Sequence, residues 1–278
     1  MKKLVLTGAA GRLGSYLREP LSKMADELVS TDIVADFGRT YPGERYVQAD
    51  VGDLAAIEAI LEGADMVVHF GAIPDEAPFD DILHSNIVGA YNIWEAAHRN
   101  KVRRVIYASS IHAVGMHPKT DRIGADAAHR PDTYYGLSKC FAEDLARMYW
   151  DKLNIEAVCL RIMSCANVSG PRSLHMWLSY DDLIQLVQRS VETPHVGFTV
   201  LYGVSNNDRI PVDNSAAAFL GYRPKDNAED HAGTYLADAE AVDVTDRALT
   251  THGGPFATVE LGHSGTAGMN IVADKKKF

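Results

Sequence analysis

The chain has 278 residues, a formal net charge of -10 and 46% hydrophobic residues. That length supports one sizeable core, or one large and one small lobe, and the negative charge argues against nucleic acid or an anionic membrane surface as partner. Three cysteines without a C-x-x-C pair fit a reduced cytoplasmic setting better than a disulfide framework. The N-terminus opens on a strand pattern without a secretory signal, and no apolar stretch reaches bilayer length, so a soluble intracellular protein is expected. The one basic run, Lys275-Lys276-Lys277, reads as a solvated tail.

The first half alternates short apolar runs with longer helical patterns. Strands are expected over 4–6, 27–31, 46–48, 66–70, 104–108 and 156–162. Helices are expected over 14–24, 53–62, 86–99 and 135–153, the second of them with Asp53 as N-cap and apolar residues at Leu54, Ile57, Ile60 and Leu61. Beyond about residue 163 the pattern loosens into a loop over 167–173, a helix over 180–193, a strand over 198–202 and a weakly periodic end from about His252. Strands alternating with helices imply parallel pairing through right-handed crossovers. The expected fold is therefore an α/β doubly wound parallel sheet of Rossmann type, residues 1–165, with a small C-terminal substrate-binding lobe over 166–278.

The first strand runs into Thr7-Gly8-Ala9-Ala10-Gly11-Arg12-Leu13-Gly14, a G-x-x-G-x-x-G loop that opens a helix. Glycines there permit a tight turn, let the backbone approach a pyrophosphate and pack the helix close to the sheet. The helix N-terminus offers free N–H groups and a positive dipole end to the phosphates. Asp32 ends the second strand, where an acid accepts both adenosine ribose hydroxyls and repels a 2′-phosphate, favouring NAD over NADP. Arg12, inside the loop, is a possible phosphate partner. Asp50-Val51 follows the third strand and either meets the adenine edge or starts the next turn.

Tyr135-Gly136-Leu137-Ser138-Lys139 places a phenol and an ammonium on one helix face. The ammonium stabilises the phenolate and lowers the tyrosine pKa, making it a general base for a hydroxyl proton. Ser109-Ser110 ends the fifth strand, at the sheet edge where α/β folds place ligands, and Ser110 can hold the substrate oxygen. His112 either lines the substrate pocket or is a structural imidazole. Arg172, in the run Ser169-Gly170-Pro171-Arg172, offers a planar fork that can bind a carboxylate bidentately. Eleven histidines form no His-x-x-x-His or H-E-x-x-H spacing, so no metal is expected. The hydrolase elbow G-x-S-x-G and the G-x-x-x-x-G-K-[ST] loop are absent.

With its glycine loop, Asp32, Asp50-Val51, His69-Phe70-Gly71-Ala72, Asn86-Ile87-Val88-Gly89, Ser109-Ser110 and Tyr135 with Lys139, the chain resembles the extended short-chain dehydrogenase/reductase family over about its first 165 residues. By that resemblance Phe70, Gly71 and Ala72 line the dinucleotide with Gly8, Gly11, Arg12, Leu13, Gly14, Asp32, Asp50, Val51, Tyr135, Lys139 and Ile162. Asn86 supports the active-site helix on the cofactor side.

Within that family the chain is most similar to the uronate dehydrogenases, to about residue 230. The likeness is carried by Arg130-Pro131-Asp132, the run from Tyr135 to Phe141, Leu145 to Tyr149, Arg161-Ile162-Met163-Ser164-Cys165, Arg172 five before Trp177, Ser179 to Asp182, Asp213-Asn214 and Phe219 to Glu229. It implies NAD-dependent oxidation of a hexuronic acid at C1 to the aldarolactone by hydride transfer. The substrate would be lined by Pro74, Ser110, Ile111, His112, Tyr135, Ser164 and Arg172, and homo-oligomers are usual in the family. Two positions depart from the pattern: Pro74 stands where the family has a small polar residue, and Ile111 where it has asparagine. An apolar Ile111 facing the sugar would point to a different acid sugar, or one lacking a hydroxyl there. The alternatives are a dehydrogenase of another acidic or neutral aldose, a nucleotide-sugar epimerase or dehydratase, and a dinucleotide-sensing regulator. The chain is short for the second, and its Tyr-Lys pair argues against the third.

Overall fold

The structure is a computed structural model that describes residues 1–235 and 243–266. Lys275, Lys276 and Lys277 lie outside the described residues. Nine strands are described: β1 Lys3–Thr7, β2 Glu27–Asp32, β3 Glu44–Gln48, β4 Met66–His69, β5 Arg104–Ser110, β6 Glu156–Ile162, β7 Ser164–Cys165, β8 Trp177–Leu178 and β9 Phe198–Gly203. Seven form one sheet in the order β3-β2-β1-β4-β5-β6-β9, every pair parallel. The helices that matter below are α1 Arg12–Ser22, α2 Leu54–Leu61, α3 Phe79–Ile82, α4 Gly89–Arg99, α5 Tyr134–Leu153, α6 Ser173–Met176 and α7 Tyr180–Glu192.

Successive side chains of a strand point to opposite faces, and the apolar runs feed both. Leu4, Leu6, Met66, Val68, Val158 and Leu160 join a core with Leu17 and Leu21 of α1 and Leu183, Leu186 and Val187 of α7. Val5, Val67, Ala157 and Cys159 join the opposite core with Ile57 of α2, Ile93 and Trp94 of α4 and Ala142 and Ala146 of α5. Each such Val, Leu, Ile or Met side chain, fully removed from water, favours folding by about 1.5–3 kcal/mol. A third cluster, Ile111, Val114, Ile123, Met176, Tyr202, Val204 and Val212, fills the smaller end of the molecule.

Local signals set the helix ends. Asp53 caps α2 by accepting from Ala55 N and Ala56 N at 3.0 and 3.1 Å, as its position promised. Thr133 caps α5 by accepting from Gly136 N at 3.0 Å, and Asn154 ends it with φ +57°. The helix expected from residue 86 starts earlier, at Phe79, and passes through a π-turn over Leu83–Val88 before α4. Such single π-turns concentrate at functional sites, and this one holds Asn86.

A division at 165/166 cuts through the sheet. β9 pairs with β6, and α7 packs beside α1, so the second half of the chain completes the first half's fold. What stands apart is the third cluster and the chain over it. The strand order reverses between β1 and β4, which opens a crevice at the carboxyl ends of the strands.

Candidate active site

Gly8 leaves β1 with φ +68°, and a Cβ there would collide with the Phe70 carbonyl and the Gly71 nitrogen beyond β4. A Cβ at Gly14 would run into the Gly8 carbonyl, so α1 seats directly on the loop. Gly11 is different: its Cβ direction meets only the Gly8 oxygen at 3.1 Å and otherwise faces open space. Gly11 is the N-cap of α1, with no side-chain cap and no acid in the first turn. The first N–H groups of a helix have no intrahelical acceptor, so this loop presents bare donors over an open floor, which fits a pyrophosphate. Leu13 packs against the first core, while Arg12 is exposed. Asp32 accepts from Ala10 N at 2.9 Å and Ile33 N at 2.8 Å, tying the loop to the end of β2.

Asp50 sits in a turn: Oδ1 accepts from Gly52 N at 2.8 Å and Oδ2 pairs with His84 Nε2 at 2.9 Å. Hydrogen bonds from His84 and Gly52 hold its carboxyl below the usual range, against the opposing effect of partial burial. Val51 wedges between Gly71 and Gly89, where a Cβ on either glycine would press against it. Asn86, buried, brackets Ile73 through N–H to Oδ1 (2.9 Å) and Nδ2 to carbonyl (3.1 Å), and donates to Ser138 Oγ at 3.2 Å. It thus joins the loop after β4 to α5.

Tyr135 and Lys139 lie one turn apart on α5, both buried. The Lys139 ammonium is 5.3 Å from the Tyr135 ring centroid and 4.9 Å from that of Tyr107. It donates to the Ala108 carbonyl on β5 at 2.9 Å. Burial pushes the Tyr135 phenol up to about 12, opposed by a hydrogen bond from Ser110. Burial pushes Lys139 down to about 7, opposed by Glu143. Ser110 Oγ also accepts from His112 N at 3.3 Å, so the serine both turns the chain and touches the tyrosine.

Behind the pair sits a buried network that the sequence reading did not single out. Glu143, one turn after Lys139, accepts from Ser109 Oγ at 2.5 Å, from Arg161 Nη2 at 2.8 Å and from His129 Nε2 at 2.9 Å. Burial opposes its charge, yet His129, Arg161 and Ser109 together keep Glu143 below its ordinary pKa. Removing one partner of such a pair costs about 3–5 kcal/mol.

His69, on β4, is enclosed; its Nδ1 lies 2.7 Å from Thr7 Oγ1. Burial, and secondarily Lys139, lower its pKa to about 3. The unfolded chain therefore takes up this proton first, so His69 contributes stability that is fully present above about pH 6.5 and is lost as the pH falls towards 3. From pH 7 to pH 5 the loss is about 2 kcal/mol. Urea unfolding at both pH values checks this: His69→Gln should lose less stability than the parent over that interval, and parallel losses would contradict it.

His112 Nδ1 pairs with Asp132 Oδ2 at 2.7 Å, and its ring stacks on Phe256 with centroids 3.9 Å apart. Phe256 lies 6.3 Å from the Tyr135 ring. Arg172 donates from Nη2 to the His252 carbonyl at 2.8 Å; Nη1 is buried with no hydrogen-bond partner among the described residues. Burial lowers the Arg172 pKa to about 10, opposed by Asp132. Glu76, another buried carboxylate, accepts from Tyr135 N at 2.8 Å and from Gly262 N at 2.9 Å.

Most of the residues picked from sequence therefore gather at the carboxyl edge of β1, β4, β5 and β6, with Ile162 ending β6 and Ser164 opening β7. Pro74 is exposed in the loop after β4, beside half-buried Ala72. Ile111 is a correction. Its side chain is fully buried among Val114, Ile123, Met176 and Tyr202 and does not face a sugar, because the chain turns into a 3-10 helix right after Ser110. Glu76, Asp132, Glu143, His252, Gly254 and Phe256 were missed as site residues. Only Asp132 stood in a motif that drew notice.

Fold and site together describe a dinucleotide-dependent oxidoreductase. Residues 4–235 match the model of the NAD dependent epimerase/dehydratase family, and the chain belongs to that family. It is 44% identical to the uronate dehydrogenase of Pseudomonas putida, over 92% of this chain and 95% of that protein. The crystal structure of uronate dehydrogenase from Agrobacterium tumefaciens superposes with a TM-score of 0.88 at 41% identity, covering 94% of this chain and 98% of that one. A tyrosine-to-alanine mutant of that enzyme, complexed with NAD, matches with the same TM-score, identity and coverage.

Proposed function

We propose that the protein oxidises a hexuronic acid of galacturonate or glucuronate type at C1 to the aldarolactone, with NAD as acceptor. The observation that carries this is the Tyr135–Lys139–Ser110 set linked to Arg172 through one segment: the His252 carbonyl holds Nη2 of Arg172, Phe256 lies 6.3 Å from the Tyr135 ring, and the buried Nη1 has no partner among the described residues. A buried cation with a vacant donor is costly unless a ligand completes it, and a planar carboxylate matches the guanidinium fork.

NAD, when bound, accepts the hydrogen on C1 with its electron pair. Gly8, Gly11, Arg12, Leu13 and Gly14 would hold the pyrophosphate, Asp32 the adenosine ribose, and Lys139 the second ribose. Phe70, Gly71, Ala72 and Ile162 would flank the cofactor, with Asp50, Val51 and Asn86 supporting its walls. Tyr135 takes the O1 proton while Ser110 holds O1 in line. Lys139 keeps the phenolate accessible, and Glu143 favours the charged form of Lys139. Arg172 fixes the carboxylate, with His112 and Ser164 beside the ring hydroxyls.

NADH formation across a panel of uronic, sulfonated and neutral aldoses tests the assignment. Turnover on uronates well above that on neutral aldoses is expected. A preference for neutral aldoses, or tightly held NAD with no net reduction, would overturn it.

In this reading the enzyme works in the cytoplasm as a homo-oligomer. The three buried, unpaired cysteines support the first. Leu137, Phe141 and Met148, exposed along one face of α5 beside exposed Tyr91 of α4, support the second, since adjacent exposed apolar side chains mark contact surfaces. Light scattering should find at least a dimer at micromolar concentration and a smaller species for Phe141→Glu; a monomeric parent protein would refute the assembly.

A further inference from the structure

The chain from His252 to Thr266 returns across the site from more than a hundred residues beyond Tyr135. His252 is fully buried; its N–H donates to the His117 carbonyl at 3.0 Å, and Gly253 N donates to the Gly115 carbonyl at 2.8 Å. Gly253 packs on the Asp132 carboxylate so closely that a Cβ would collide with it. Gly254 has φ +62°, and a Cβ there would run into Nη1, Cζ and Nε of Arg172. The guanidinium therefore rests on a bare glycine backbone while the His252 carbonyl holds Nη2. Two residues on, Phe256 covers His112. A Cβ on Gly265 would strike the Phe256 ring, so that glycine packs directly against it. The far end of the segment is tied down by Asp75, which accepts from Gly265 N at 2.9 Å and from Ser264 and Thr266 hydroxyls, and by Glu76, which accepts from Gly262 N. The same Glu76 holds the first turn of the catalytic helix through Tyr135 N.

We propose that residues 252–256 are the specificity element of this enzyme: the His252 carbonyl and the bare Gly254 backbone seat the Arg172 fork, whose covered Nη1 is the donor left for the substrate's acid group, and Phe256 closes the wall beside Tyr135. Gly254 is here a positioning residue for Arg172. The anchors at Asp75 and Glu76 fix this strap to the element that carries the proton acceptor, so acid recognition and proton transfer share one rigid frame. This inference rests on Arg172 binding the acid group.

The test is Gly254→Ala in the full chain, with Arg172→Ala and the double variant alongside, assayed on galacturonate and on neutral galactose with NAD. Displacing the fork should raise KM for the uronate about 10- to 100-fold, the equivalent of one hydrogen bond to a charged group. It should change kcat less than KM, and alter the constants for the neutral sugar far less than those for the uronate. The double variant should be no worse than Arg172→Ala, because the glycine acts through the arginine. If Arg172→Ala keeps the preference for uronate, the reading of Arg172 fails. If Arg172→Ala loses it but Gly254→Ala behaves as the parent, the strap proposal alone fails. Should Gly254→Ala not fold, as judged by melting and NADH binding, amide exchange of the parent protein decides. Galacturonate should slow exchange at 252–256 and galactose should not; equal exchange with both would overturn the proposal.

Discussion

Tyr135→Phe should lower kcat by about 10²- to 10⁴-fold, the range for loss of a general base, and leave NAD affinity nearly unchanged. The variant keeps what positions the residue: the Thr133 cap, the Glu76 carboxylate on the backbone N–H, and the packing of the ring against Ile82 and Phe256. Only the hydroxyl goes, with its hydrogen bond to Ser110. The two burial effects add a pH signature. The phenol is pushed up to about 12 and the Lys139 ammonium down to about 7. The base is the deprotonated phenol, so oxidation by the parent enzyme should quicken with pH below about 7, and the rise should slacken above it as the Lys139 ammonium loses its proton. The residual rate of the variant should lack that rise. Initial rates of NADH formation against pH, with NADH fluorescence titration as the control for binding, check both parts. Near-normal turnover would remove Tyr135 from the mechanism.

Arg172→Ala should cut kcat/KM on a uronate by roughly 10²-fold, corresponding to about 3 kcal/mol for a desolvated, charge-assisted contact, and change a neutral aldose far less. Burial already depresses this arginine to about 10, and Nη1 has no partner among the described residues. The protein thus bears the cost of an incompletely paired cation that a bound carboxylate would offset. Parallel kcat/KM measurements on galacturonate and galactose decide the matter. Equal losses on the two would refute carboxylate recognition.

What could be read from the residues alone was what short-range patterning controls. The short apolar runs at 4–6 and 66–70 read as strands, and the sheet buries them on both faces, Leu4, Leu6 and Val68 in one core and Val5 and Val67 in the other. The glycine loop carried its own geometry, because Gly8 and Gly14 tolerate no Cβ. The Tyr135–Lys139 spacing placed both side chains on one helix face. Contacts between distant segments stayed hidden. Ile111 turned inward because a 3-10 helix follows Ser110, a boundary that strand periodicity does not mark. Asp50 found His84 only because a π-turn brings that ring over Gly52. Glu76 looks like any surface acid until the fold sets it against Tyr135 N, and the strap from His252 carries no periodicity because its order comes from partners on other elements. The expected boundary at 165/166 erred for a related reason: β9 adds to the sheet edge through pairing with β6 that no local pattern announces.

The measurement that tests the central claim most directly is turnover of a hexuronic acid bearing deuterium at C1, with the isotope followed into the reduced cofactor. The account predicts a slower reaction than with the protio sugar under conditions where chemistry limits the rate, and one deuterium in the NADH for each lactone formed. NADH without deuterium, or deuterium retained in the sugar product, would contradict it.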